Sequence, residues 1–191
     1  MSSYVLDVTL AHIRPKIWRR LAVPGDLSLG GLHEVLQLAF GWQDCHLHEF
    51  QVGEQRYGIP DPDGKDEELR DDADIAVARA LPRKSSTMQY VYDYGDDWIH
   101  NVTVHSIEKA DASRGHRLRR TRRAGAVTCL AGARACPPED SGGPPGYERL
   151  PSALADADHP EHDELLAWVG GAFDPETFSL GDVNRTLSAL A

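Results

Sequence analysis

Two β-rich segments, Met88-Gln89-Tyr90-Val91-Tyr92-Asp93-Tyr94 and 98–107, flank the triplet Gly95-Asp96-Asp97. Aromatic and β-branched residues suit a pleated, half-buried surface, and a Gly/Asp triplet suits a tight reversal, so the pattern predicts a β-hairpin. Such a hairpin in mid-chain commits much of the fold to antiparallel pairing. The flanking segments agree. Residues 4–10 and 17–23 read as strands, the second closed by Pro24-Gly25. Ser28 then stands at a helix N-cap position, and Leu29, Leu32, Val35, Leu36, Ala39 and Phe40 recur at helical spacing before a Gly41 stop. Alternation over 46–52 predicts another strand, 61–74 reads as a polar loop, and a short helix is expected over 75–81. Residues 129–146 are rich in Pro and Gly and read as an ordered, packed loop. Pro160 fits the N1 position of a helix through 164–169, and Ser179 with Asp182 forms a short-armed capping box before a last helix. Strands, helix, hairpin, then helices: the expected class is α+β, an antiparallel sheet with a packed N-terminal helix and a helical C-terminal region. No Gly-rich phosphate loop follows a strand, which argues against Rossmann-type and P-loop nucleotide binding.

A chain of 191 residues suits a single domain over 1–191. Its parts would be a strand, helix and hairpin portion (1–110), a basic loop (111–125), and the Pro/Gly loop with C-terminal helices (126–191). The N-terminus lacks a basic region followed by an apolar stretch, and no long apolar run occurs. The expectation is therefore a cytoplasmic protein without membrane contact. Three cysteines at irregular spacing argue against a secreted disulfide scaffold. Net charge is −10, yet 114–123 carries six arginines and no acid; taking that +6 away leaves −16 elsewhere. An acidic body repels a phosphate backbone, so any nucleic-acid contact would run through Arg117, Arg119, Arg120, Arg122 and Arg123. No aromatics interleave those arginines, and a solvated loop is the competing reading.

Several uncommon stretches occur in a fixed order: Ile17-Trp18-Arg19-Arg20, Leu32-His33, Gly41-Trp42, His46-Leu47-His48-Glu49-Phe50, Tyr92-Asp93-Tyr94-Gly95-Asp96-Asp97-Trp98-Ile99-His100, Pro137-Pro138-Glu139-Asp140-Ser141-Gly142-Gly143, and Phe173-Asp174-Pro175-Glu176. Together they resemble the plasmid pRiA4b ORF-3-like family of bacterial and archaeal proteins, over about Tyr4 to Leu190. The resemblance implies an α+β fold and an association with plasmids and mobile elements, and it implies no particular reaction. Some members carry resolvase-like names, but the last 45 residues here are acidic and present no basic recognition helix.

The residues best suited to chemistry are His46, His48, Asp93, Asp96, His100, Glu139 and Asp140. On a strand, residues i and i+2 share a face, so His46 and His48 are expected to converge, with Asp96 and His100, on a divalent metal ion. Glu139 or Asp140 would complete that site or act as a general base. The competing reading has Asp96 capping the turn and the histidines bonding carboxylates or backbone. Cys129, Cys136 and Cys45 read as buried structural thiols, and Trp18, Trp42, Trp98 and Trp168 as core. Two functions follow: a binding or interaction module with a protein partner, or a metal-dependent hydrolase using the 46–48 and 93–100 segments.

Overall fold

The computed structural model describes residues 2–63, 66–109 and 126–190. Its centre is one eight-stranded sheet: β1 Ser2–Leu10, β2 Trp18–Pro24, β3 His48–Val52, β4 Gln55–Gly58, β5 Leu69–Asp71, β6 Thr87–Tyr92, β7 Trp98–Lys109 and β8 Thr128–Ala133. The order is β5-β4-β3-β6-β7-β1-β2-β8, antiparallel except for the β4–β5 pair. The predicted hairpin is β6–β7, registered Tyr92 on Trp98 and Tyr90 on His100. The α+β class is as expected.

Helix α1 (Leu29–Phe40) packs its apolar stripe into the core, with Leu29, Leu32, Val35 and Leu36 fully buried. Ser28 caps it by accepting from Gly31 N, and Gly41 ends it in the left-handed region at φ 93°. Side chains alternate across the sheet: Leu6, Val8 and Leu10 point into the core from β1, while Asp7 and Thr9 lie on its more open face. The chain continues through the short α2 (Val77–Ala80), then α3 (Gly143–Ala155), α4 (His162–Trp168) and α5 (Leu180–Leu187). Ser179 caps α5 by accepting from Asp182 N. Arg19 ties these layers together. Its guanidinium is buried between the rings of Phe40 and Phe178 and donates to the carbonyls of Ala39, Trp18, Ala133 and Arg134.

Several expectations need correction. The 46–52 strand starts only at His48. The 61–74 loop contains β5 and a 3₁₀ turn (Asp72–Asp74), and Asp72 is buried. The loop expected over 129–146 supplies most of β8 and the first turn of α3, since Pro144 and Pro145 fit the helix start where their missing N–H groups cost nothing. Helix α4 begins at His162 with Glu161 as its cap, so Pro160 is not its N1 residue. Trp42 and Trp98 are core, but Trp168 is 45% exposed. Among the described residues, no helix is long and apolar enough to cross a membrane.

Candidate metal centre

The hairpin connection runs from Asp93 to Asp97, both at positive φ (60° and 53°). Asp residues tolerate that region because a short carboxylate can bond the backbone nearby. Asp93 Oδ1 accepts from Gly95 N at 2.8 Å, and Asp97 N closes the turn on Asp93 O at 2.7 Å. With Oδ1 committed, Asp93 Oδ2 is left 3.6 Å from His46 Nε2. Asp96 faces another way and accepts from Gly142 N at 3.0 Å, docking the 138–142 loop onto the hairpin. At Gly143 (φ 65°) a Cβ would sit 2.5 Å from Asp96 O, so only glycine allows this approach.

That docking brings Glu139 and Asp140 to His46. Glu139 Oε1 accepts from Gln43 N (2.6 Å) and from the Tyr92 hydroxyl (3.1 Å). Tyr92 in turn accepts from Cys45 N, and burial holds its hydroxyl well above the ordinary tyrosine range, so it stays a donor. Glu139 Oε2 is then buried without a hydrogen-bond partner, 3.9 Å from His46 Nε2. His46 Nε2 is likewise buried and unpartnered; Asp140 Oδ1 lies 3.1 Å away but out of hydrogen-bond alignment. Two donor groups thus share His46 Nε2, Asp93 with Asp140 in one and Glu139 in the other. Ligands of a tetrahedral zinc ion with bonds of about 2.0–2.1 Å stand about 3.3 Å apart, so each carboxylate, at 3.1–3.9 Å from His46 Nε2, could share a cation with that imidazole. The Cys45 thiol stands with Glu139: ligand atoms of Cys45, His46 and Glu139 lie within 4.8 Å of one another, and those of His46, Asp93 and Asp140 form a second such group.

The structure therefore brings together His46, Asp93, Glu139 and Asp140 but not His48, Asp96 or His100. His46 precedes the strand, so the same-face rule does not bind it to His48. His48 is buried, bonded to Asp72 Oδ2 at 2.8 Å and stacked on His33 at 3.5 Å between ring centroids. His33 belongs to a buried chain whose proton positions follow from its ends. Gln37 Oε1 must accept from Asp44 N, so Gln37 Nε2 donates to Tyr90 Oη. Tyr90 then donates to His33 Nδ1, which leaves His33 Nε2–H for Asp44. Burial, aided by His48, lowers the His33 pKa and favours this neutral form. His100 is fully buried, its Nδ1 on Trp98 O and its Nε2 facing the Trp42 indole N–H. Asp96 positions the loop and is in neither ligand group.

Cys45 is exposed rather than core, whereas Cys129 and Cys136 are free thiols held above their ordinary pKa by burial. Sequence reasoning missed Tyr92 and Gln43 as supports of Glu139, and nothing local in the sequence marks contacts that span 47 and 96 positions. The 114–123 arginines, including Arg117, Arg119, Arg120, Arg122 and Arg123, lie outside the described residues.

Comparison with known proteins agrees with the motif order. The profile of the family described as "Plasmid pRiA4b ORF-3-like protein" matches residues 2–182, and the chain belongs to that family. It is 34% identical over 187 residues to "Uncharacterized protein y4hQ" of Sinorhizobium fredii (strain NBRC 101917 / NGR234), covering 97% of this chain and 91% of that protein. It is also similar to the crystal structure of a "Protein of Unknown Function MM3350 from Methanosarcina mazei Go1". The TM-score is 0.78 at 31% identity, over 95% of this chain and 97% of the other. Neither relative's name assigns a reaction.

Proposed function

We propose that this plasmid pRiA4b ORF-3-like protein is a binding module built around one divalent cation held at His46 by carboxylates drawn from Glu139, Asp93 and Asp140. The observation that carries this reading is the pair of buried, unpartnered atoms, His46 Nε2 and Glu139 Oε2, at 3.9 Å. Buried polar atoms without partners are uncommon in folded proteins, and a cation would satisfy both at once. An imidazole with carboxylates suits zinc or manganese; the Cys45 thiolate, which stands with Glu139, would favour zinc. The module works as one domain over 1–191 in the cytoplasm, where its three free cysteines fit a reducing compartment. The mobile-element association that its family name suggests belongs to the same proposal.

A metal-dependent hydrolytic role has one specific observation in its favour. Asp140 is 71% exposed at its side chain, so the cradle opens to solvent on that side and leaves room for a metal-bound water. Elemental analysis of untagged protein, dialysed against zinc and then manganese, tests the metal. Near-stoichiometric metal in the wild type, lost in His46→Ala and in Glu139→Gln with folding unchanged by circular dichroism, is the expected result. Protein that retains neither ion overturns both readings. Metal-loaded protein that hydrolyses an activated phosphodiester, with activity lost in His46→Ala, selects the enzyme over the simple module.

A further inference from the structure

We infer a second ligand site, for a phosphorylated small molecule, in a cleft of about 820 Å³ that shares no residue with the His46 cradle. Its walls are the 11–16 connection, α3 and the segment after β8, with Thr9 and Asn101 from the more open side of the sheet completing the lining. On a chain of net charge −10, this cleft gathers Arg14, Lys16 and Arg134, with His12 beside them and Glu148 as its one acid. Arg14 and Lys16 are exposed and make no ion pair among the described residues. Screening confines the repulsion of the distant acids to about 10 Å, so the local sign decides what binds.

Two buried donors narrow the ligand class. The Tyr147 hydroxyl is buried, in a residue only 4% exposed, and meets no partner in full hydrogen-bond geometry. Arg134 lies against this hydroxyl: its charge and a side-chain hydrogen-bonding contact both offset part of the rise that burial imposes, although the pair falls short of full hydrogen-bond alignment. The Arg134 side chain is 12% exposed and pairs through Nη1 with Glu176, while its Nε is buried and unpartnered. Guanidinium and ammonium groups can only donate, so a ligand that meets Arg14, Lys16 and Arg134 in this cleft must bring acceptors, and an anionic oxygen suits all three. Phosphoryl oxygens offer several such acceptors on one centre. The volume exceeds what one phosphoryl group fills, and Leu10, Ile13 and Pro151 supply apolar wall for the body of the molecule.

Isothermal titration of the full chain with inorganic pyrophosphate, in EDTA and at low salt, tests this. EDTA keeps the His46 cradle free of metal, so success or failure here is independent of the cation reading. Saturable binding that weakens as salt rises is expected. It should fall about tenfold or more in the exposed pair Arg14→Ser/Lys16→Ser, and also in Tyr147→Phe, which keeps the ring and removes only the hydroxyl. Arg83→Ser, an exposed arginine outside the cleft, should bind as the wild type does. No saturable binding by the wild type overturns the site. So does undiminished binding by the Arg14→Ser/Lys16→Ser protein, which would place the anion elsewhere.

Discussion

Lowering the pH from 7 to 4 should cost the fold about 3 kcal/mol through His100 alone. This imidazole is fully buried in the core, and burial is the main cause that brings its pKa from the ordinary 6.5 to about 4. The Trp42 contact works in the same direction as burial, against the backbone carbonyls of Trp98 and Tyr90, which favour the protonated ring. The Trp42 indole N–H can only donate, so His100 Nε2 must accept, and the single proton sits on Nδ1, donated to Trp98 O. Protonating Nε2 would set two N–H donors against each other inside the core. In the unfolded chain the imidazole takes its proton near pH 6.5, whereas the folded chain resists until about pH 4. The unfolded state therefore binds more protons across that window, and stability is full above 6.5 and falls as pH drops towards 4. At about 1.4 kcal/mol per pH unit, the gap amounts to about 3 kcal/mol, with no further loss from this group at lower pH. Urea unfolding of the wild type and of His100→Leu at several pH values isolates the effect. His33, also depressed by burial, titrates in the same direction but is present in both proteins. The variant is expected to be less stable at pH 7, since Trp42 loses its acceptor, and to lose less stability on acidification. Two stability curves running parallel from pH 7 to 4 would refute the argument.

Two further outcomes follow from other contacts. Tyr90→Phe removes one buried oxygen but orphans both Gln37 Nε2 and His33 Nδ1, and should cost about 2–4 kcal/mol in urea unfolding; a loss below about 1 kcal/mol would break the proton assignment in that chain. Gly143→Ala meets Asp96 O at 2.5 Å in a left-handed conformation, so it should lose at least about 1 kcal/mol and weaken metal retention, although residue 143 supplies no ligand atom; unchanged retention would show that the loop docking does not position Glu139 and Asp140.

What could be read from the sequence was what is local. The Ser28 cap, the α1 stripe, the Gly41 stop and the two hairpin strands each depend on residues within a turn or two of one another, and each was legible. Asp93, Glu139 and Asp140 were recognisable as chemistry-bearing types. Their meeting at His46, and not at His48, depends on where β3 begins and on Asp96 gripping Gly142 from 46 positions away. Asp72 was hidden for a related reason: it sits in a run of acids that reads as solvated, and only the fold shows that this one is buried against His48. Strand β8 escaped because Cys129-Leu130-Ala131-Gly132 is poor in β-formers, and its pairing with β2 supplies what its own residues lack. Gly132 itself lies against Phe178 and the Arg19 stem, where any side chain would collide.

The position of Arg19 bears on how the chain is assembled during synthesis. Its charge leaves water only when carbonyls from α1 and β8 surround it and Phe178 closes over its other face. The strand that carries it is made well over a hundred residues before the ring that covers it. Its neighbour β1 likewise waits in mid-sheet for β7, nearly a hundred residues later. Strands β1 and β2 therefore wait, while those later segments are made, with an unfinished edge and an unshielded cation, and that cation opposes premature burial of a partial core.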